Sequence, residues 1–299
     1  MVLPVVKVKR TARVWKKPFA YAMVRKTQKE MPMPCSRSHT RGFTLIELAV
    51  VLVVIGLIVG GIIGGQTMIR NAELKTIVTD FNKYRTAADQ FRNQYNALPG
   101  DTLDATEYWG RMRNTADCVT NTGSAVNSAG ACDGNGNNII FNGTGGSLAS
   151  EQFQFWRQLQ LAGLIDGVFS GLTGPSSDTH AVIGVNTPRS KISGAGWSIT
   201  TDDCSGNADR YAVCMGNYFV FGTPTGGHTV GAALTPEEAW NIDKKLDDGK
   251  PAAGKVIARY WNNLCAAADD GSSANNDLVA SYRLGDKSKL CALNFRELF

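Results

Sequence analysis

The sequence predicts an α+β protein in which one long N-terminal helix, half transmembrane and half amphipathic, packs on a small antiparallel-sheet head with extra short helices and disulfides. Three observations predict this class. An apolar run over residues 43–65 passes into an amphipathic pattern over residues 66–98. Short apolar runs among Gly, Asn, Ser and Thr follow residue 99. Six cysteines lie in that same later part of the chain.

The first element is a basic segment, residues 1–42. It holds 11 of the 31 Lys and Arg residues and one of the 26 Asp and Glu residues, which gives a net charge of +10. Residues 43–299 hold 20 basic and 25 acidic residues, a net charge of −5. The overall charge of +5 therefore describes neither part, and it gives no general support for nucleic-acid binding by the larger one. We expect no nucleic-acid partner.

Residues 43–65 predict a transmembrane helix. Glu47 is their only charged residue, and the 18 residues 48–65 carry no charge. At about 1.5 Å per residue the run is roughly 35 Å long, enough to cross a hydrocarbon core of about 30 Å. Because the basic segment comes immediately before it, the positive-inside rule places residues 1–42 in the cytoplasm and the head outside. We expect a single-pass inner (cytoplasmic) membrane protein with an extracytoplasmic head.

Residues 66–98 predict an amphipathic continuation of the same helix. No proline lies between Pro34 and Pro99, so one helix can run from residue 43 to about residue 97. Two heptad series form one apolar stripe: Leu74, Phe81, Ala88 and Tyr95, with Ile77, Tyr84, Phe91 and Leu98. A coiled-coil dimer is the alternative use of this stripe, but its aromatic residues favour packing on a sheet.

The head is expected to begin after the turn sequence Leu-Pro-Gly-Asp at residues 98–101. Residues 151–164 predict a helix with Ser150 as its N-cap, and residues 235–238 form a capping box for a helix that ends near Gly249. Strands are expected at residues 180–185, 197–201, 210–215 and 218–221, and the last two would form a hairpin around Gly216.

The cysteines point to an oxidising compartment. Cys35 lies in the basic segment, and no C-x-x-C pattern occurs, so a structural zinc site is not expected. The other six form three local pairs in the sequence: Cys118 with Cys132, Cys204 with Cys214, and Cys265 with Cys291. Six cysteines allow 15 connectivities, so the pairing stays open, as does the alternative of buried free thiols.

The junction between the basic segment and the apolar run carries the functional signal. Residues 41–48 read RGFTLIEL: a glycine before an apolar helix, with a carboxylate five residues further on. This resembles the processing motif of type IV pilins and type II secretion pseudopilins. The resemblance implies that prepilin peptidase cuts between Gly42 and Phe43, that Phe43 is N-methylated, and that Glu47 meets the N-terminal amine of a neighbouring subunit. It also implies a homo- or hetero-oligomeric filament of pilin-like subunits, the peptidase and an inner-membrane assembly platform as partners, and a pilus or periplasmic filament as destination.

Physical reasons support each role. Gly42 has no side chain to obstruct access to the peptide bond, and a carboxylate such as Glu47 inside a membrane span costs several kcal/mol unless it is paired. Two simpler roles for Glu47 stay open: it offsets the helix dipole, or it bonds the amine of its own chain one turn back.

The expected organisation is a cleaved leader (1–42), a transmembrane or filament-core helix (43–65), an amphipathic helix (66–98) and the head (99–299).

A calcium loop is the weaker candidate site. Asp133, Asn135 and Asn137 place oxygen-bearing side chains at alternating positions, and Glu151 is the candidate for the bidentate ligand. The pattern lacks the Gly and the final acidic residue of a complete calcium loop, so a simple Asn/Gly turn is the alternative. We expect no required cofactor, with calcium as the one candidate ion.

No catalytic arrangement is evident in the sequence, and we expect no enzyme. Beyond the basic segment only His180 and His228 are histidines, and no H-E-x-x-H or G-x-S-x-G pattern occurs. The acidic residues Asp243, Asp247 and Asp248 are expected to form a solvated helix end.

The expected function is a filament subunit. The alternatives are a competence-type pilin whose head binds DNA, or a single-span anchored protein with an exported binding head.

Overall fold

The computed structural model describes residues 42–112, 129–140, 150–177, 179–202, 211–259, 264–267 and 279–296. The chain divides into two compact units, Met1–Ile55 and Gly56–Phe299. Four helices lie in the described ranges: α1 (Leu45–Tyr95), α2 (Ala105–Trp109), α3 (Glu151–Leu161) and α4 (Pro236–Leu246). The strands there are β1 (Gly196–Asp202), β2 (Gly216–Gly222), β3 (Val256–Ala258), β4 (Ala266–Ala267), β5 (Ser281–Tyr282) and β6 (Leu293–Phe295).

The main sheet is antiparallel, with the strand order β1-β2-β6-β3. β1 and β2 pair over their whole length, from Gly196 opposite Gly222 to Asp202 opposite Gly216. The short strands β4 and β5 form a separate two-stranded sheet. A disulfide between Cys265 and Cys291 joins a residue next to β4 to one near the start of β6. The predicted α+β class is therefore confirmed.

The amphipathic part of α1 packs on the main sheet through the predicted stripe. Its buried residues include Leu74, Ile77, Phe81, Tyr84, Ala88 and Phe91. The Phe81 ring is stacked on Phe295 of β6, with centroids 4.8 Å apart, and meets the edge of Phe219 of β2 at 6.2 Å. Because these aromatic pairs join helix to sheet within one chain, the stripe needs no second helix to be buried.

The strand β2 is buried on both faces. Phe219 and Phe221 belong to the core cluster that contains the α1 stripe, whereas Tyr218 and Val220 pack with Met215 and Ile257 in a second cluster. Alternate side chains of a strand point to opposite faces. The uninterrupted apolar run at residues 218–221 is therefore explained by a layer on each side of the sheet.

Capping fixes the start of α4 as predicted. The Thr235 hydroxyl accepts a hydrogen bond from the Glu238 N–H, and the Glu238 carboxylate accepts one from the Thr235 N–H. Ser150 occupies the predicted N-cap position of α3, but its side chain makes no capping hydrogen bond. Both helices end earlier than expected, α3 before Gly163 at φ 71° and α4 at Leu246.

Two strand predictions were wrong. Residues 180–185 form turns held by the Asn186 side chain, which accepts from the Val182 N–H and donates to the His180 carbonyl. Residues 211–215 form no strand, while residue 210 lies outside the described ranges; Tyr211 and Met215 fill the second core cluster instead of a ladder. The hairpin expected around Gly216 is therefore absent from the described residues, and β2 takes β1 as its partner.

Candidate functional site

The start of α1 is a capping box built around Glu47. The Thr44 N–H donates to Oε2 of Glu47 at 2.8 Å, and the Thr44 hydroxyl donates to the same oxygen at 2.8 Å. The Glu47 N–H in turn lies 3.3 Å from the Thr44 hydroxyl oxygen. Thr44 stands immediately before the first helical residue, Leu45, so these bonds satisfy donors that the first turn would leave free.

This geometry bears on the roles predicted for Glu47. Its carboxylate accepts two hydrogen bonds from Thr44, three residues earlier. These bonds lower the free-energy cost of placing the carboxylate in an apolar environment, where it would otherwise lack hydrogen-bond donors. The sequence interpretation missed Thr44. The signal was present, because Thr-Leu-Ile-Glu at residues 44–47 has the spacing of a capping box.

The predicted cleavage point lies just before this box. Gly42, Phe43 and Thr44 precede the helix, and no atom comes within 4 Å of the position that a Cβ on Gly42 would take. The Phe43 side chain is 83% exposed. Arg41 and the rest of the basic segment lie outside the described residues. No described atom covers Gly42, and cleavage between Gly42 and Phe43 stays a prediction.

The apolar run that follows is unpacked over its length. The large apolar side chains from Leu45 to Ile63 are exposed, and apart from chain neighbours and the helix's own backbone no atom comes within 4 Å of a Cβ built on Gly56, Gly60, Gly61, Gly64 or Gly65. Within the described ranges, α1 is the one helix that is long and apolar enough to cross a membrane. An apolar surface of this size is unstable in water, so a lipid or protein environment has to cover it.

The predicted calcium ligands are placed close to backbone donors. Both Asp133 oxygens accept hydrogen bonds from Thr106, at 2.7 Å from its N–H and 2.9 Å from its hydroxyl. The side chains of Asn135 and Asn137 accept from N–H groups two residues further on, and Oε1 of Glu151 accepts from the Asn135 N–H at 3.2 Å. Each of these oxygens thus already accepts one hydrogen bond, and a cation would have to use its remaining lone pairs.

Asp101, which the sequence interpretation did not single out, organises the same loop. Its Oδ1 accepts from the Gly136 N–H at 2.6 Å, and its Oδ2 accepts from the Asn138 N–H at 2.7 Å. The loop thus wraps its backbone donors around a protein carboxylate. The turn sequence after α1 gave a weak signal for this role, because Asp is favoured in turns for its ability to accept local hydrogen bonds.

One of the three cysteine pairs that the sequence groups together is described at both ends. Cys265 and Cys291 are bonded to each other, and both are buried. Cys132 and Cys214 are also disulfide-bonded. Cys118 and Cys204, which the sequence groups with them, lie outside the described residues.

The acidic residues at the end of α4 depart from the sequence expectation. Asp243 was expected on a solvated helix end, but its side chain is fully buried, and the Tyr282 hydroxyl donates to its Oδ2 at 2.8 Å. The expectation was wrong because Asp243 follows Ala239 and Ile242 on the buried face of α4. Burial raises the pKa of Asp243 to about 7. Asp247 is half-buried and Asp248 is exposed, as expected for a helix end.

Neither histidine beyond the basic segment forms a nucleophile–base pair among the described residues. The Nδ1 of His180 accepts from the Ser176 N–H at 3.0 Å. His228 is in contact with the Gln152 amide oxygen through Nε2. Burial lowers the pKa of His228 to about 4, with a further contribution from the charge of Arg259, so this imidazole is neutral at pH 7.

Comparison with known proteins points to the start of α1. The family described as the prokaryotic N-terminal methylation motif matches residues 37–63. These residues include the predicted cleavage point, Thr44, Glu47 and most of the apolar run. No curated protein and no solved structure matches the chain. Residues 37–63 thus carry the N-terminal methylation motif that is the signature of type IV pilins and type II secretion pseudopilins, as the resemblance in the sequence predicted.

Proposed function

We propose that the protein is a structural subunit of a type IV pilus or a type II secretion filament. The methylation motif at residues 37–63 carries this proposal. The pilin type is structural, and the long apolar helix fits a membrane-anchored pilin. In this proposal the precursor sits in the inner membrane with residues 1–42 in the cytoplasm and the head outside, until its helix leaves the bilayer for the filament.

Processing is the first step. Prepilin peptidase cuts between Gly42 and Phe43, and Phe43 is then N-methylated. The exposed backbone at Gly42 and the open space around it support this assignment. The cut removes the basic segment, so the new N-terminus is a cationic amine next to the apolar helix, while the helix stays attached to the head.

Glu47 acts in the second step, assembly with other pilin-like subunits on the inner-membrane assembly platform. Its carboxylate lies one turn from the new N-terminus and is held by Thr44. The Thr44 bonds lower the cost of carrying this charge through the membrane, and the charge attracts the N-terminal amine of the next subunit. Docking is thereby directed to one position along the helix.

Mass spectrometry of the protein extracted from membranes of its host tests the processing step. We expect a mature chain that begins with N-methylated Phe43. A Gly42→Ala and Gly42→Leu pair provides a graded control, because each adds side-chain bulk at the cleaved bond without changing charge. Cleavage should fall from Gly to Ala to Leu. An unmodified chain that retains residues before Phe43 would contradict the proposal.

Two variants separate the roles of Glu47. Glu47→Gln keeps an oxygen that can accept from Thr44 but removes the charge, whereas Thr44→Val removes the hydroxyl and keeps the Glu47 charge. If charge pairing directs assembly, Glu47→Gln is processed but not incorporated into filaments, and Thr44→Val is incorporated. If Glu47 only caps its own helix, the Glu47→Gln variant assembles normally. Incorporation is measured as the amount of subunit in sheared or pelleted filaments.

Calcium binding at Asp133, Asn135, Asn137 and Glu151 stays a prediction. A calcium-dependent rise in the melting temperature that is lost in Asp133→Ala would support it. Asp133→Ala also removes the hydrogen bonds to Thr106. The comparison is therefore made between calcium and chelator for each variant, and an unchanged melting temperature of the unsubstituted protein with chelator would contradict the prediction.

A further inference from the structure

A cavity of about 280 Å³ lies where α1 ends and the chain turns toward α2. Its aromatic, amide and acidic lining residues are Tyr95, Asn96, Asp101, Asp104, Tyr108 and Asn138. All of them lie in the unit Gly56–Phe299, outside the residues matched by the methylation motif. The cavity is therefore independent of the assembly site proposed above.

Two tyrosine rings form a corner of this cavity. The Tyr95 and Tyr108 centroids are 5.1 Å apart, and the ring planes are inclined at 70°. Trp109 lies next to them, with its centroid 5.2 Å from that of Tyr95. Tyr108 remains 56% exposed in spite of these contacts. The face of an aromatic ring carries partial negative charge and attracts cations, so a corner of two rings favours a positively charged guest.

The charged groups that line the cavity are all negative among the described residues. Asp101 and Asp104 contribute two carboxylates, and none of the described residues that line the cavity is Lys or Arg. The two carboxylates differ in their partners. Asp101 is held by the N–H groups of the 136–138 loop, so its position is fixed.

The Asp104 carboxylate has no hydrogen-bond partner among the described residues. Asp104 stands at the N-cap position of α2, yet its side chain makes no capping hydrogen bond, and no other described residue donates to it. The Thr106 N–H in this first turn is satisfied instead by Asp133. Asp104 is exposed at the cavity, and its charge is available to a ligand.

The amide side chains at the cavity belong to residues in an unusual backbone conformation. Asn96 and Asn138, at φ 51° and 62°, are the two non-glycine residues with positive φ in the described part of the chain, and both line this cavity. Asn96 follows the last residue of α1, and Asn138 is tied to Asp101 through its N–H. The Asp101 and Asn138 side of the cavity is thus held by hydrogen bonds before any ligand enters, which reduces the entropy cost of binding.

We propose that this cavity binds an organic cation, a primary or quaternary ammonium group. The ammonium group lies against the Tyr95 and Tyr108 rings and pairs with the Asp104 carboxylate. A neutral sugar fits less well, since its hydroxyls can donate to the Asp104 carboxylate but bring no positive charge to compensate it. Two sources present this chemistry: a lysine side chain of another protein, and a free or headgroup quaternary ammonium.

Calorimetric titration of the full chain in detergent tests the proposal. Choline is compared with 3,3-dimethylbutan-1-ol, its neutral isostere, and Nα-acetyl-lysine methylamide is compared with the corresponding norleucine derivative. We expect saturable binding of a cationic probe at least about tenfold tighter than that of its neutral counterpart. The probe that binds more tightly identifies the source, a lysine side chain or a quaternary ammonium.

Variants at the cavity provide the control. Tyr108→Leu and Asp104→Asn should each weaken binding of the cationic probe by about threefold to thirtyfold. Glu107→Gln removes the same charge from an exposed position of α2 that does not line the cavity, and it should leave binding unchanged. Circular dichroism checks that each variant is folded; should Tyr108→Leu unfold, the Asp104→Asn and Glu107→Gln pair still decides.

Three results would overturn the proposal: equal binding of cation and neutral isostere, no saturable binding of either cationic probe, or preferential binding of a neutral disaccharide included in the series. None of these results touches the filament function. Conversely, a failure of N-terminal processing would leave the cavity measurement unaffected, so the two proposals fail separately.

Discussion

The two parts of α1 are both rich in apolar residues, yet they differ in what covers those residues. The large apolar side chains from Leu45 to Ile63 are 48% to 86% exposed. The stripe residues from Leu74 to Phe91 are at most 8% exposed. The first part is apolar all round and has no polar face to turn toward water, whereas the second has one apolar stripe and a sheet to receive it.

This difference shows that the distribution of apolar residues, more than their number, decides which surroundings a helix requires. The apolar part needs an external environment, either lipid or the helices of other subunits. The striped part is satisfied inside its own chain, through Phe81 on Phe219 and Phe295. Each part can accordingly be damaged without damage to the other, and the following variants use that separation.

Truncation of Phe81 gives the largest expected loss of folding stability. Phe81→Ala removes a buried ring that contacts two strands, so the free energy of unfolding of the head should fall by about 3–5 kcal/mol. Leu52→Ala is the matched control in the apolar part, because Leu52 is 70% exposed and should change this quantity by less than about 0.5 kcal/mol. Denaturant unfolding followed by tryptophan fluorescence measures both; similar losses in the two variants would contradict the comparison.

The buried Asp243 should make the stability of the head depend on pH. The pKa of Asp243 is about 7 in the folded protein, above the usual 3.8, because the carboxyl is buried. The unfolded chain therefore loses this proton first as pH rises. Protonated Asp243 therefore contributes its full share of the unfolding free energy below about pH 4, and this contribution is lost as pH rises toward 7. Each unit of difference between the folded and unfolded pKa corresponds to about 1.4 kcal/mol, so the total loss is at most about 4 kcal/mol.

Asp243→Asn is the test, because Asn keeps the shape and cannot ionise. The difference in unfolding free energy between the two proteins should shift in favour of the Asp243→Asn variant from pH 4 to pH 7 and then stay constant. A difference that does not vary with pH would show that Asp243 is ionised throughout.

A charge in the apolar part should weaken membrane insertion and leave the folding of the head unchanged. Val54→Arg places a guanidinium near the centre of the run and should make insertion less favourable by about 2.5–3.5 kcal/mol. Asn82→Arg adds the same charge to an exposed position of the striped part and should leave insertion unchanged. The integrated fraction after translation with membranes gives the insertion energy. A lower melting temperature of the head in Val54→Arg would mean that the two parts are coupled.

Periodicity and capping signals predicted much of this fold. The two heptad series gave the buried stripe of α1, and Thr235 with Glu238 gave the start of α4. Signals of this kind succeed because they depend on neighbours three to seven residues away, and such neighbours are fixed by the helix itself.

The sequence did not predict contacts between residues that are distant along the chain. Arg157 is buried, and its guanidinium donates to the carbonyls of Gly130 and Phe169, an arrangement that only the folded loops create. The β2 strand was assigned the wrong partner, because apolar residues at 211–215 imitate a strand while they fill a core cluster. At the candidate site, the pattern singled out Gly42, Phe43 and Glu47, whose roles stay predictions, and the hydrogen bonds of Thr44 were overlooked.

The smallest expected change in folding stability concerns an ion pair near the start of the striped part of α1. Arg70 binds Glu238 of α4 through two bonds, Nε to Oε1 at 2.6 Å and Nη2 to Oε2 at 2.8 Å. Both side chains are partly buried, so this pair is worth more than a surface ion pair but less than a fully buried one. Glu238→Gln removes the charge and keeps an acceptor for the Thr235 N–H, and it should cost about 1 kcal/mol.

Glu237→Gln is the control, because Glu237 forms an exposed pair with Lys287 and should cost less than about 0.5 kcal/mol. The pH dependence adds a second criterion. Burial raises the pKa of Glu238, but the hydrogen bonds from Arg70 and Thr235 and the positive charge nearby outweigh burial, and the net pKa is lowered from 4.5. Its contribution is therefore present above pH 4.5 and is lost as pH falls through the folded pKa. The unsubstituted protein and Glu238→Gln should converge in stability at acid pH; if they converge at neutral pH instead, the Arg70 pair does not hold the first turns of the striped part to α4.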